Sequence, residues 1–414
     1  MEFRFRPDFS RKAIMEKTIG TGMNIYLERA QCLQQHLHET HGKGGALEGS
    51  DPGVRLNARF GRFIKGYLRF LPWGDRYYYL QAQGYWIAAN WMLFDLTGEK
   101  RYSQIATDGS YRILERQTDG GYWRYPFPEW GGRIATVEGC YAALGMLHTF
   151  RKNGDERLSA AASRWYAFLK KEIGFREEGD MLSVQYFANM DELATRKFSA
   201  IQLGRCPNNS TLLLMMIAEA YDATKDSTYL EHRDGLVNFL KFAQRADGKF
   251  PYLVQYKEHP GKEYYLCYQY NSFQFLDLAR YYEITRDERM RPILEGLARF
   301  MRGGAAADGS SKFDSFHDTP FIPYYTAVLG AALIRATDLG FGDFSDLYSR
   351  VYARLLDVQR KDGSFTFSHK DYGFLSDGRS YPRPQSMILK HLLVRAEFER
   401  RKSSQQVGVA ETTM

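Results

Sequence analysis

Two kinds of hydrophobic pattern alternate along the chain. In one, apolar and aromatic residues fill nearly every position of a stretch of about four helical turns. In the other, they recur at every third or fourth position and leave a polar face. A helix that is apolar all round is buried, whereas an amphipathic helix covers a core, so the alternation predicts hairpins of one inner and one outer helix. The predicted inner helices cover 83–96, 137–151, 209–223, 270–284, 325–339 and 385–399, and the outer ones 156–173, 227–245, 288–301 and 345–360.

Two recurring motifs separate these stretches. Gln-x-x-Asp-Gly followed by an aromatic residue occurs at 244–250 and 359–365, and a close variant, Gln-Thr-Asp-Gly-Gly-Tyr-Trp, occurs at 117–123. Weaker Asp-Gly or Gly-Asp copies lie at 308–309 and 179–180. Its glycine tolerates the left-handed conformation that ends helices, and the aromatic stretch after it predicts a short extended segment. Motifs with an acidic residue at 97–100, 153–156, 224–227 and 285–288 end one helix and cap the next.

Six inner helices wrapped by outer helices predict an all-α fold, the (α/α)6 toroid. The sixth inner helix has no amphipathic partner after it, and a helix around residues 23–38 can take that place and close the ring. An open solenoid of hairpins is the alternative, but it favours a shorter repeat of roughly 34–47 residues and polar capping repeats. We therefore expect one domain over residues 1–402 and a polar, disordered tail over 403–414.

The hairpin pattern and the Gln-x-x-Asp-Gly-aromatic repeats, over residues 20–400, resemble the (α/α)6 toroid superfamilies. These include six-hairpin glycosidases, polysaccharide lyases and uronyl epimerases, as well as terpenoid cyclases, protein prenyltransferases and lanthionine cyclases. The resemblance implies the architecture but not one reaction, because a fold hosts many functions.

The amino-acid composition and net charge narrow the possible classes of function. The 414 residues include 29 Tyr, 28 Phe and 6 Trp, so 15% are aromatic, and the net charge is +7. So much tyrosine suggests a lined cavity, and the positive charge favours an anionic ligand. We see no signal peptide, no apolar run long enough to span a bilayer and no nucleic-acid-binding motif, and the four cysteines form no Cys-x-x-Cys motif. We expect a cytoplasmic protein without a nucleic-acid partner or transmembrane segment; its oligomeric state is not predicted.

Candidate site residues concentrate in the segments that lead into the inner helices. In a toroid these leaders surround one mouth of the central cavity, and here they are rich in Tyr and Arg. As acids or bases we expect Tyr268, Tyr270, His317, Tyr325, Tyr381, Glu138 and Asp318. As substrate-binding residues we expect Trp123, Arg124, Asn209, Asn271, Arg379, Arg383 and Tyr122.

This set of residues suits proton abstraction beside a carboxylate, as in uronate lyases and uronyl epimerases. A Tyr or His base would take the proton, an Arg or Asn would neutralise the substrate carboxylate, and a second Tyr would act as acid. Arg suits this role better than Asn, because its planar guanidinium can bind a carboxylate through two parallel hydrogen bonds. Trp123 and Tyr122 offer aromatic rings on which sugar rings can stack. The leading hypothesis is therefore a lyase or epimerase acting on an anionic saccharide.

Three alternatives stay open. A glycoside hydrolase needs two carboxylates, for which Glu138 and Asp318 are candidates on the mouth. A terpenoid cyclase or prenyltransferase-like enzyme would use an aromatic cavity for a small hydrophobic substrate, but the chain contains no Asp-x-Asp-Asp and no Asp-Asp-x-x-Asp motif. A toroid that only binds a partner, without catalysis, is the third.

No cofactor is predicted. Zinc is a minor alternative, because Cys140, Cys206, Cys267 and His317 lie on or beside inner-helix leaders. Buried free cysteines more often serve only as small apolar residues.

Overall fold

The computed structural model describes residues 24–52, 60–68, 76–126, 133–188, 204–255 and 268–412. These residues form thirteen α-helices and three short antiparallel hairpins. The helices are α1 (Ile25–His41), α2 (Phe60–Tyr67), α3 (Leu80–Thr97), α4 (Lys100–Glu115), α5 (Thr136–Asn153), α6 (Glu156–Phe168), α7 (Pro207–Thr224), α8 (Arg233–Ala243), α9 (Tyr268–Thr285), α10 (Arg291–Met301), α11 (Pro323–Asp338), α12 (Ser345–Asp357) and α13 (Pro382–Thr412). The strand pairs are β1 (Gly42–Lys43) with β2 (Ala46–Leu47), β3 (Phe175–Glu178) with β4 (Met181–Val184), and β5 (Ser368–Asp371) with β6 (Leu375–Asp377).

The predicted all-α toroid is confirmed. The inner helices α3, α5, α7, α9, α11 and α13 form a ring in which each packs against its two neighbours, and α13 packs against α3. The outer helices α4, α6, α8, α10 and α12 each pack on the inner helix that precedes them, and α1 packs on α13. Asn24 Nδ2 donates a hydrogen bond of 2.7 Å to the carbonyl of Ala396, so the N-terminal helix closes the ring as the sequence predicted.

The inner helices begin one to three residues earlier than predicted. Three of them start on a proline, at Pro207, Pro323 and Pro382, because the first turn of a helix needs no N–H donor and the proline ring is already set for helical φ. At the other end, α13 runs to Thr412 and so extends into residues 403–414, for which the sequence predicts a polar, disordered tail. No helix within the described ranges is long and apolar enough to cross a membrane.

The Gln-x-x-Asp-Gly repeats tie neighbouring outer helices together. Gln117, Gln244 and Gln359 each donate through Nε2 to the carbonyl of the glycine four residues later, at 2.8–3.0 Å. The same Nε2 atom also reaches a carbonyl of the next outer helix, at Ala161, Ile293 and Arg29 respectively, at 2.9–3.0 Å. The motif is therefore a structural link in the outer layer.

Glycine is required at this position of the motif because the turn lies very close to the backbone of the next outer helix. Gly248 has φ +91°, and a Cβ there would lie 2.0 Å from the carbonyl oxygen of Gly296 on α10. Gly363 has φ +82°, and its Cβ would lie 2.4 Å from the carbonyl oxygen of Cys32 on α1. Any other residue would strain the backbone and push the outer helices apart.

Five ion pairs and one hydrogen bond link the six inner helices into a ring, which we call the lower ring. It lies near the carboxyl ends of α3, α5, α7, α9 and α11 and at Arg400 and Arg401 of α13. Lys152 and Asp95 join α5 to α3 at 2.7 Å, and Arg401 and Asp338 join α13 to α11 at 2.7 Å. The remaining ionic links are Arg151–Glu219 between α5 and α7, Arg280–Glu219 between α9 and α7, and Arg335–Glu283 between α11 and α9. Arg400 completes the circuit by donating to the carbonyl of Asp95 at 3.2 Å.

Candidate active site

Two carboxylates and one guanidinium meet where α3, α5 and α13 begin. Arg383, the second residue of α13, binds Asp51 through two hydrogen bonds, from Nε at 2.6 Å and from Nη2 at 2.8 Å. Its Nη1 donates to Oε1 of Gln81 at 3.1 Å, and the backbone N–H of Gln81 donates to Oε2 of Glu138 at 3.0 Å. Asp51, Gln81, Glu138 and Arg383 thus form one connected group at the amino-terminal mouth of the ring.

Glu138 is the member of this group whose pKa is shifted towards neutral pH. Its side chain is only 4% exposed, and this burial raises the pKa of Glu138 from 4.5 to about 7, against the opposing effects of the Gln81 N–H and the Arg383 charge. Asp51 adds a smaller effect that also raises this pKa. A carboxyl group with a pKa near 7 exchanges its proton readily at neutral pH, so Glu138 is suited to general acid or base catalysis.

Tyrosines form the wall beside this group. The rings of Tyr79 and Tyr125 meet edge to face at 5.6 Å, and the Arg383 guanidinium lies 4.9 Å from the centre of the Tyr79 ring. Tyr186 is hydrogen-bonded to Tyr252, whose ring lies 5.7 Å from that of Tyr270. Burial raises the pKa of Tyr79, Tyr125, Tyr186 and Tyr252, so these phenols are neutral hydrogen-bond donors.

Of the sequence-predicted residues, Glu138, Arg383 and Tyr270 lie in or beside this site. Asn209 is the third residue of α7, the level that Glu138 occupies on the adjacent helix α5. Asn209 is fully buried, and neither its Oδ1 nor its Nδ2 has a hydrogen-bond partner within the part of the chain that the structure describes. A buried amide without partners is costly, which is consistent with a group that binds substrate.

Several predicted residues serve the scaffold instead. Trp123 lies in the core, where Nε1 donates to the carbonyl of Ile113 at 2.9 Å and the ring lies 5.9 Å from that of Trp165. Asn271 accepts the N–H of Phe250 at 2.7 Å and so holds the extended segment after the Asp-Gly turn. Gln83 and Gln385 hold the corresponding segments in the same way.

Other predicted residues make their contacts with side chains outside the connected group. The ring of Tyr268 stacks on Phe300 of α10 at 4.7 Å, and that of Tyr122 packs on Phe168 at 4.7 Å. The exposed Arg124 guanidinium lies 5.6 Å from the Tyr122 ring. His317 is 67% exposed and paired with Asp314, and Asp318 is exposed as well.

Tyr325, Tyr381 and Arg379 belong to a second aromatic cluster beside β6. Tyr381 donates to Oδ2 of Asp377 at 2.6 Å, and Arg379 pairs with the same carboxylate at 3.2 Å. The ring of Tyr325 stacks on Phe313 at 5.8 Å. Because Asp377 is fully buried and holds both groups, these residues shape the wall between α11 and α13.

The zinc candidates do not converge in the described ranges. Burial raises the pKa of Cys140 to about 12 and that of Cys206 to about 11, so both are thiols at neutral pH. Cys267 lies outside the described residues, and His317 is on the surface. Among the residues that can be described, no three His, Cys, Asp or Glu side chains are grouped as a metal site would require.

Asp51, Gln81, Tyr79, Tyr125 and Tyr186 are the site residues that sequence reasoning did not single out. The three tyrosines and Gln81 lie in or near aromatic leaders, so tyrosine density was the available signal. Asp51 carries no local signal, because only the folded ring brings the segment after β2 to the start of α13.

No protein-family model and no curated protein matches this sequence. Solved structures do match the fold. A possible GH105 family member from Klebsiella pneumoniae has a TM-score of 0.66 at 10% identity, with 96% of each chain covered. Cellobiose 2-epimerase from Bacillus thermoamylovorans has a TM-score of 0.61 at 12% identity, over 77% of this chain and 88% of that one. An α-1,6-mannanase variant from Salegentibacter, in complex with α-1,6-mannotriose, has a TM-score of 0.62 at 10% identity, over 90% and 99%. The chain therefore has the (α/α)6 toroid fold that these carbohydrate-active enzymes share.

Proposed function

We propose that the protein is an enzyme that acts on an anionic saccharide by moving a proton at a uronyl carbon. The observation that carries this proposal is Glu138, a buried carboxyl at the mouth of the toroid whose pKa is raised to about 7 beside a guanidinium. The fold-level similarity to cellobiose 2-epimerase and to an α-1,6-mannanase variant supports a saccharide substrate.

In this mechanism the Glu138 carboxylate takes the proton from the carbon next to the substrate carboxylate. The electron pair moves towards that carboxylate, and the Arg383 guanidinium stabilises the charge that develops there. Asp51 is a positioning residue, since its two hydrogen bonds fix the plane of Arg383. A neutral tyrosine such as Tyr79 or Tyr125 then protonates a leaving oxygen in elimination, or the opposite face of the carbon in epimerisation.

The test uses uronate-containing glycans in D₂O. Deuterium uptake without cleavage identifies an epimerase, and new absorbance near ~235 nm from an unsaturated product identifies a lyase. We expect Glu138→Gln to lower kcat by roughly 10²–10⁴-fold, the usual contribution of a general acid or base. His317→Gln removes an exposed imidazole and is the matched control, with expected activity near wild type. If a broad uronate panel shows neither deuterium uptake nor absorbance, this proposal fails.

A glycoside hydrolase is the second candidate, because the site holds two carboxylates in different environments. Burial keeps Glu138 protonated to a higher pH, as a general acid requires, while Asp51 faces a guanidinium. In this case Asp51→Asn would abolish release of reducing ends, and no absorbance near ~235 nm would accompany the wild-type reaction.

A further inference from the structure

A serine, a histidine and an aspartate meet where α1, the turn after α12 and the segment before α13 come together. Oγ of Ser380 lies 3.0 Å from Nε2 of His36, within hydrogen-bond distance. On the other side of the same ring, Nδ1 of His36 lies 3.8 Å from Oδ2 of Asp362, and such contacts are often long before a substrate binds. The order of these atoms is that of a Ser-His-Asp triad, in which the histidine takes the serine proton and the carboxylate orients the histidine.

Comparison with the other repeats shows that the fold does not require a histidine at this place. The motif glutamine before this turn binds the carbonyl of Arg29, and His36 follows that residue by seven positions. In the other two repeats, the residue seven positions after the carbonyl that the glutamine binds is Phe168 or Phe300. Each of these phenylalanines packs on a tyrosine ring at 4.7 Å. His36 therefore stands where the other repeats use an apolar packing residue, so packing does not explain its imidazole.

The surroundings of His36 suit it to act as a base. Burial lowers the pKa of His36 from its ordinary 6.5, against the charge of Asp362, so the ring is neutral at pH 7 and can accept a proton. Oδ1 of Asp362 accepts from the N–H of Ser364 at 3.0 Å and from its Oγ at 2.7 Å, and these bonds fix the carboxylate whose Oδ2 faces His36. Nε2 of His41 lies 2.8 Å from the carbonyl oxygen of Ser380 and holds the backbone of the serine.

Groups that can stabilise an oxyanion and admit a substrate lie beside Ser380. Its N–H makes no hydrogen bond within the described ranges, so it can donate to an oxyanion, as the N–H of the nucleophilic serine does in a triad enzyme. Ser380 also lies two residues before α13, whose positive amino-terminal end favours negative charge. Ser380 is half-buried and Asp362 is exposed, so a small ester can reach the group. Because His41 and Arg360, which contact this segment, are polar, the site suits a short acyl group.

We propose that Ser380, His36 and Asp362 form a second catalytic site, which hydrolyses carboxylic esters of short acids such as acetic acid. Oγ of Ser380 attacks the ester carbonyl carbon while His36 takes its proton, and this proton passes to the alcohol as the bond between the acyl carbon and the alcohol oxygen breaks. Water then attacks the acyl-serine and gives a proton to His36, and the carboxylic acid leaves as Oγ regains that proton. None of the three residues belongs to the connected group at the mouth, so this activity does not depend on the proposed reaction.

Covalent labelling of the full chain with diisopropyl fluorophosphate tests the proposal, because an activated serine reacts with this reagent and an ordinary surface hydroxyl does not. We expect peptide mass spectrometry to find the label on Ser380, and hydrolysis of phenyl acetate to be lost as the label is incorporated. Ser380→Ala should lower kcat/KM for phenyl acetate by at least about 10²-fold, and His36→Phe, which introduces the residue of the other repeats, should lower both labelling and hydrolysis to a similar extent. His38→Phe, at an exposed position of the same helix, is the matched control and should change neither.

Asp362→Asn tests the positioning role of the carboxylate. Asn keeps an oxygen that can accept the N–H of Ser364, so the turn is retained, and kcat for phenyl acetate should fall by at least about tenfold while KM stays unchanged. Circular dichroism confirms that each variant is folded. Three results would overturn the proposal: no label on Ser380 in the wild-type chain, equal labelling of Ser380 in His36→Phe, or hydrolysis of phenyl acetate by Ser380→Ala at the wild-type rate.

Discussion

Replacing Glu138 with Gln should make the protein more stable while it removes the proposed proton carrier. The folded-state pKa of Glu138 is about 7, against an ordinary value of 4.5, so the native state resists ionisation of this carboxyl. A difference of about 2.5 in pKa corresponds to about 3 kcal/mol. Because the folded pKa is raised, the stabilisation by the protonated form is complete below pH 4.5 and is lost as the pH rises through 7. Gln has no charge to bury and keeps an oxygen that can accept the Gln81 N–H.

The increase in the free energy of unfolding on Glu138→Gln should therefore depend on pH. We expect about 1 kcal/mol at pH 5 and about 3 kcal/mol at pH 8, from urea unfolding of both proteins at each pH. For a chain of this length the larger value corresponds to a rise in Tm of about 3–4 °C. Glu177→Gln, on the exposed β3–β4 hairpin, is the matched control and should change little at either pH. A gain of equal size at pH 5 and pH 8, or a loss at pH 8, would refute the assignment of a raised pKa.

Three further predictions concern the scaffold and the ion pair. Gln244→Ala removes both hydrogen bonds that join the turn to α10, so urea unfolding should show a loss of about 1–3 kcal/mol; a loss under ~0.5 kcal/mol would contradict a linking role. Gly363→Ala should cost more than Gly340→Ala, because both have positive φ but only Gly363 approaches another backbone; equal losses in thermal unfolding would show that the contact does not matter. Asp51→Asn and Arg383→Gln should be strongly non-additive in a double-mutant cycle of stability, by about 1–3 kcal/mol, and additive effects would mean that the pair is not coupled.

The fold was largely predictable, because local pattern and tertiary environment agree. Inner helices are apolar on all sides, since each contacts two inner neighbours and an outer helix, and the sequence shows this directly. The Gln-x-x-Asp-Gly motif marked the hairpins, although only the folded chain shows its physical role as a link between outer helices. The same geometry explains why Trp123, placed just after such a motif, enters the core.

The site was predictable only where a residue lies at the start of an inner helix. Glu138, Arg383 and Tyr270 satisfy that condition. His317 and Asp318 also precede an inner helix, but they remain on the surface, where Asp314 holds the His317 side chain. Asp51 shows the limit of local reasoning, because its partner Arg383 is 332 residues away and no spacing rule connects them.

Closure of the ring by α1 has a consequence for how the chain folds during synthesis. The hydrogen bond between Asn24 and Ala396 spans 372 residues, and ordering so long a loop costs about 5 kcal/mol in chain entropy. The apolar face of α1 therefore has no partner to pack against until α13 has been synthesised. A ribosome-bound chain arrested before α13 should leave α1 open to protease, and chaperones that shield apolar helices would act at that stage.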